Sequence, residues 1–369
     1  MTRAFSIYLD LVRLIAACLV VIYHASSPFL VDRQLPLSGY GHTAVILFFV
    51  LSGYVIAYAT DTREQSARDY TLSRLSRIWS LAVPSVLLTI GFDLVGEALA
   101  PSVYVGHTTH DHALLRIASS FLFLNEVWSV SIMTFSNTAY WSLNYEAWFY
   151  VLFAIYMFGA RRQRWWWIGL VALLLGPKII LLAPVWLLGV LLYRWQRPQQ
   201  IPEWLGWVLL AASVILFVVM EQSHVSDRLA AALQAHIDAH WWRALNFSRW
   251  FLSDYLLGLV VFINFTAMRR VGFRFAPLLH AIERPVRIGA AYTFSIYILH
   301  QPLLYFFAAL IDLPKAGLLK FWVVLPCVAL TVFVIGQQTE RKRGALRRWL
   351  SGAADWAALR LGRSASRAL

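Results

Sequence analysis

Long apolar runs, bounded by aromatic and basic residues, recur along the whole chain. Ten of them approach the roughly 20 residues that a helix needs to cross a bilayer. They cover residues 6–27, 42–60, 77–98, 140–159, 165–177, 178–194, 204–221, 250–268, 288–311 and 318–338. A spanning segment has to satisfy its backbone polar groups internally, so runs of this kind predict helices. The expected fold is therefore all-α, a polytopic membrane protein with about ten transmembrane helices. The fifth and sixth runs are short and parted only at Gly176-Pro177-Lys178. One long broken helix is the alternative there, and it would reverse the orientation of everything that follows.

Composition agrees with this reading: the 369 residues are 60% hydrophobic and 14% charged, against about 45–50% and 25% in soluble domains. Charge placement supplies an orientation. With ten spans and the N-terminus inside, the inside loops hold Arg63, Arg68, Arg74, Arg161, Arg162, Arg164, Arg197, Arg269, Arg270, Arg274, Arg284 and Arg287. The outside loops are sparse in Lys and Arg, which is the positive-inside pattern and places both termini in the cytoplasm. The net charge of +13 is thereby accounted for without nucleic acid, and the lipid bilayer is the expected partner. The first run has no small-residue cleavage site and is not expected to be a signal peptide. Residues 1–338 read as one transmembrane domain. Residues 339–369 read as a basic amphipathic cytoplasmic tail, with Arg347, Arg348, Trp349, Trp356 and Leu359, resting on the inner leaflet.

Two outside segments are long. Residues 99–139 hold His107, His110 and His112, followed by an apolar stretch at 117–127 that is too short to span and either lies at the interface or re-enters. No Cys or Glu joins those histidines at ligand spacing, so no metal site is expected. Residues 222–249 contain an amphipathic segment. Cys18 and Cys327 lie inside apolar runs and read as small buried hydrophobes.

Ionisable residues inside spans are expensive and point to function. Arg13 and His24 are eleven residues apart, about three helical turns, so they share one face about 16 Å apart. Arg74 and Arg77, at i and i+3, can form a guanidinium fork for phosphate. Glu146 lies about two turns into the fourth run, on the same predicted side as His24, and needs a partner. Gly53 allows close helix approach and Ser52 can hydrogen-bond across helices.

Together these residues resemble the membrane-bound acyltransferase-3 family, which includes bacterial O-antigen and exopolysaccharide O-acetylases. The resemblance rests on Leu9-Asp10 to Arg13 through His24, on Phe48 to Gly53, on Arg74 to Arg77, on Trp141-Ser142-Leu143 through Glu146 to Tyr150, and on Ser295 to Leu303 with His300-Gln301-Pro302. It implies transfer of an acyl group, usually acetyl from acetyl-CoA, to a hydroxyl. Arg13, Arg74 and Arg77 would then bind the donor on the inside. His24 would be the general base, with Glu146 orienting or balancing it, and the alternative role for Arg13 is to keep Asp10 ionised. Ser52, Ser142 and Asn144 are candidates for the oxyanion site. The chain departs from the family at Ala44-Val45-Ile46, where an acid is often found, and at Ala147, where a second Glu is usual. The resemblance implies a bacterial inner membrane and a glycan or lipid-linked sugar acceptor, while leaving open the acceptor's identity, an acetyl-histidine intermediate and the oligomeric state. A transporter with an intramembrane Arg/His/Glu relay is the other function class, though no internal repeat supports it.

Overall fold

A computed structural model describes residues 1–108, 111–195 and 200–365, with side chains of the last helix described as far as Trp356. His110, Arg197 and the Leu359 side chain lie outside the described residues. Seventeen α-helices carry the fold among the described residues, and no strand occurs there beyond one isolated bridge between Thr134 and Asn137. Eight helical stretches are long and apolar enough to cross a membrane: Arg3–Ala25, Ser38–Thr62, Ala67–Leu99, Pro177–Arg194, Glu203–Gln222, Ala239–Ala281, Thr293–Leu310 and Ala316–Trp356. The other two expected spans are also helices. Trp141–Phe158 has 18 residues but opens on polar Ser142, Asn144 and Glu146. Arg164–Leu175 has only 12, about 18 Å of helix.

In chain order, α1 is Arg3–Ala25, α2 Gly41–Thr62, α3 Ala67–Leu99, α4 Pro101–Tyr104, α5 Ala113–Leu122, α6 Trp141–Phe158, α7 Arg164–Leu175 and α8 Pro177–Arg194. They are followed by α9 Glu203–Gln222, α10 Val225–His236, α11 Ala239–Leu245, α12 Phe251–Val271, α13 Ala276–Ala281 and α14 Glu283–Ala290. The last three are α15 Thr293–Leu310, α16 Leu319–Gln338 and α17 Arg343–Ala365. Local signals set the helix starts. Thr2 caps α1 by accepting from the Phe5 amide, and Ser66 caps α3 by accepting from Asp69 N. At 33 residues, α3 extends about 50 Å, well beyond a hydrocarbon core of about 30 Å. Its first three turns carry Arg74, which is buried, and Arg77, which is partly buried.

The ambiguous fifth and sixth runs are two helices folded back on each other. Arg164 opens α7 and Arg194 closes α8, yet both guanidiniums lie over the Tyr156 ring, at 4.9 and 5.6 Å. The reversal occurs at Gly176, whose backbone (φ 78°, ψ −176°) is accessible only to glycine. The loop after α5 reaches in to complete the short helix. Trp128 donates its amide to Leu175 O and its indole N–H to Leu173 O, both at 2.9 Å. Lys178 is not a loop charge but a buried one. Its ammonium bonds Glu126 at 2.6 Å, Ser131 Oγ at 2.8 Å and the Val130 carbonyl, with both ion-pair partners 1% exposed. The expected interfacial or re-entrant stretch covers the end of α5 and the loop after it: α5 exposes Leu114, Leu115 and Leu122, while Asn125 and Glu126 of the loop are buried. Buried non-helical backbone is tolerated where protein surrounds it.

The tail is helical and packs against the bundle. Helix α17 docks on the start of α3, where Arg68 bonds Asp355 at 2.5 Å and Ser351 Oγ at 3.1 Å, while Trp349 stays exposed.

The tightest seam joins α2 to α8. A Cβ on Gly53 would stand 2.0 Å from the Trp186 carbonyl oxygen, and one on Gly189 would stand 1.9 Å from Val50 O. The two backbones therefore touch through reciprocal glycines, as the Gly53 motif suggested. Gly53→Ala or Gly189→Ala has to push the helices apart, destabilising the fold by about 1–3 kcal/mol. Thermal unfolding of each variant in detergent checks this: the midpoint falls, and a wild-type midpoint would mean that the seam is loose.

Candidate active site

Helices α1, α2, α3, α6 and α15 enclose a narrow cavity of about 70 Å³, lined by Arg13, Ser52, Arg77, Glu146, Tyr150 and Tyr297 among others. A wider cavity of about 440 Å³ is lined by His24, His42, Trp141, Trp250, Asp254 and Tyr297 among others. Val45 and Tyr297 border both. The one-face reading of α1 is thus realised, with Arg13 at one cavity and His24 at the next.

A chain of charges at the end of the bundle aims Arg13. Arg3 bonds Glu283 at 2.6 Å, Arg287 bonds Glu283 at 2.9 Å and Asp10 at 2.7 Å, and Arg13 bonds Asp10 at 2.6 Å. The hydrogen bonds from Arg3 and then Arg287 hold the Glu283 carboxyl down at about 2, so it stays ionised at neutral pH. Arg13 Nε is buried and has no hydrogen bond among the described residues.

The two arginines of α3 separate in role. Residues three apart differ by about 60° around a helix and one turn in height. Arg74 is buried, paired with Glu64 and lodged beside the Tyr70 and Tyr150 rings at 5.6 and 5.7 Å. The Arg77 side chain lines the narrow cavity and makes no hydrogen bond or ion pair among the described residues. The guanidiniums facing that cavity are therefore Arg13 and Arg77, rather than Arg74 and Arg77.

Glu146 does not bond His24. Its Oε1 accepts from Ser52 Oγ at 2.5 Å and from the Tyr150 hydroxyl, and Ser52 in turn receives the Trp186 indole N–H at 3.2 Å. The ring beside His24 is His300, with centroids 5.0 Å apart. His300 Nδ1 lies 3.0 Å from Ile296 O and 2.8 Å from Tyr297 O, so it carries the proton. Its Nε2 is then a lone-pair acceptor, buried and without a partner among the described residues. Asn144 is occupied, accepting from Asn125 N and donating to Tyr140 O, both at 3.2 Å. Ser142 instead meets the Tyr297 hydroxyl at 2.6 Å, where the cavities join. Residue reading had His300 only as part of a motif and missed Tyr297, His42 and Asp254. A histidine eight residues into an apolar helix was the available signal for His300.

Fold and site define a polytopic membrane protein with a line of cavities bearing two arginines at one end and histidines at the other. A family model described as an acyltransferase domain matches residues 6–336, and the chain belongs to the acyltransferase-3 family. It is a membrane acyltransferase. No curated protein and no solved structure matches it.

The split between the α3 arginines is testable without substrate. Arg74→Ala leaves Glu64 buried and unpaired, a loss of about 3–5 kcal/mol. Arg77→Ala breaks no pair. Unfolding curves should drop sharply for the first variant and little for the second, and equal losses would contradict the separation.

Proposed function

We propose that the protein moves an acetyl group from acetyl-CoA, bound from the cytoplasmic side, to a hydroxyl of a surface glycan or lipid-linked sugar at the outer side of a bacterial inner membrane. The observation that carries this reading is the junction at Val45 and Tyr297, where a cavity bearing Arg13 and Arg77 meets one bearing His24. Coenzyme A is a polyanion, and two guanidiniums facing one cavity suit its phosphates. Arg74 holds Tyr150 and Glu64 in place and acts on the donor through them. The narrow cavity, about 70 Å³, is smaller than a pantetheine arm, so donor entry has to widen it.

His24 is the base. The acceptor oxygen attacks the thioester carbonyl carbon as its proton passes to the imidazole. The C–S bond then breaks, and the leaving thiolate recovers that proton, giving the ester and free coenzyme A. His300 Nε2, unpartnered at rest in a ring 5.0 Å from that of His24, is the acceptor to which His24 turns its other N–H during transfer, which would fix the nitrogen that faces the acceptor, the role first assigned to Glu146. Tyr297, with Ser142 behind it, is placed to donate to the carbonyl oxygen as negative charge develops. Glu146 keeps Ser52 and Tyr150 oriented along the donor's path.

His24→Ala should lower transfer by about 10²–10⁴ with insertion intact; a fully active variant would remove His24 from the chemistry. Arg77→Ala should raise the donor KM by about 10–100-fold, the loss of one charge-assisted contact of about 1.5–3 kcal/mol. Measurement at two salt concentrations separates a true contact from diffuse attraction, and an unchanged KM at both would move the donor site elsewhere.

The sidedness has its own check. In a background with Cys18 and Cys327 replaced, a cysteine at Ser102 should react with an impermeant thiol reagent on intact cells, and one at Ser66 should not. The reverse result would put the donor end outside and overturn the transmembrane route.

A further inference from the structure

The outer cavity holds a second histidine that the reaction above does not use. His42 Nε2 lies 2.9 Å from Asp254 Oδ1. Asp254 is 2% exposed, whereas the His42 side chain keeps 29% of its surface open. The carboxylate comes from the first turn of α12 and the imidazole from the first turn of α2. The ring is steadied by Trp141, nearly parallel at 11° and 6.3 Å, and by Trp250 at 5.2 Å. Asp254 Oδ2 is buried with no partner among the described residues. With Nε2–H given to the carboxylate, Nδ1 of the neutral ring is an acceptor, and no described residue bonds it. Tyr23, which precedes His24, packs against Gly41, which precedes His42. His24 from α1 and His42 from α2 line the same cavity.

The surrounding chemistry narrows the ligand. A volume of about 440 Å³ falls within the roughly 300–1,000 Å³ of small-ligand sites. Aromatic rings meet carboxylates and an amide at its wall: Tyr23, Trp250, Glu221, Asp227 and Asn246. Asp254 adds a third carboxylate, against one guanidinium, that of Arg249, which already stacks over Trp250 at 4.9 Å. That balance disfavours an anionic ligand and suits a neutral ring with many hydroxyls.

We propose that His42, held by Asp254, is an acceptor-positioning residue: its Nδ1 takes a hydrogen bond from a hydroxyl of a neutral sugar ring, beside the hydroxyl that His24 deprotonates. This rests on the acyl-transfer reading. Asp254 acts through His42 by fixing its tautomer and tilt.

The test uses the full chain in lipid nanodiscs, with radiolabelled acetyl-CoA as donor. The acceptor probe is envelope glycan from cells carrying the gene, stripped of esters by mild base. His42→Lys keeps an N–H for Asp254 but carries no acceptor; Asp254→Asn keeps the shape and loses the charge. Loss of one hydrogen bond should raise the half-saturating glycan concentration about tenfold in His42→Lys, with the acetyl-CoA KM unchanged and a smaller rise in Asp254→Asn. A wild-type acceptor value in both variants would reduce the pair to a structural contact. Donor and acceptor constants rising together in folded protein, judged by gel filtration and unfolding midpoint, would also overturn the proposal. Should one variant misfold, the other still decides. Wild-type protein that binds and hydrolyses acetyl-CoA but labels no glycan would reject the sugar subsite alone. Protein that neither binds nor hydrolyses acetyl-CoA would reject the acyl-transfer reading on which it rests.

Discussion

A charge inside a hydrocarbon slab has to be neutralised by a partner or face a polar cavity. That requirement sorts the ionisable residues of this chain. Lys178 and Glu126 neutralise each other in a site 1% exposed on both sides, with Ser131 and a backbone carbonyl completing the ammonium's bonds. Arg74 and Glu64 do the same at the start of α3. Asp10 is shared between Arg13 and Arg287. These pairs are expensive to assemble and more expensive to break, so they hold elements in fixed register. Arg77, Glu146, His24 and His300 have no such ion-pair partner among the described residues, and they border or adjoin the cavities.

The same logic explains how an irregular segment came to be inside. Helix α7 stops after 12 residues at a glycine that only glycine can occupy in that conformation. Its last carbonyls would lack donors, and the Trp128 amide and indole supply two. The segment that brings Trp128 also delivers Glu126 to Lys178. One break in one helix therefore obliges a loop to fold inward, and that loop leads into α6 with Trp141, Ser142 and Glu146. The glycine seam between α2 and α8 works alongside it, drawing Ser52 against Trp186 and onto Glu146. Packing at a distance from His24 thus shapes the path that leads to it.

Much of this was legible in the residues. The period and length of the apolar runs predict the helices, and their ends differ from the observed ones by a few residues, apart from α3, which begins ten residues earlier than its apolar run. The motifs in order name the family, and the family match over residues 6–336 agrees. The eleven-residue interval between Arg13 and His24 predicts a shared face, because helical geometry is local and intervals along one helix translate directly into direction.

Partnership across helices was not legible, because it depends on rotations and depths that no single segment encodes. The spacing of Arg74 and Arg77 suggests a fork, but Glu64 from the preceding connection claims Arg74 and leaves Arg77 to stand with Arg13. Glu146 shares a side with His24 by position, yet Ser52 and Tyr150 reach it, and His300 from a helix more than 270 residues away along the chain takes the place beside His24. His42 and Asp254 are 212 residues apart; each is an ionisable residue in an apolar run, but nothing local pairs the two. The sequence by itself determined the membrane class, the helices, the family and the faces of individual helices, since these follow from composition and period. Only the tertiary structure decided which charge meets which, since in a low-dielectric interior each ionisable group takes the partner that packing brings within reach.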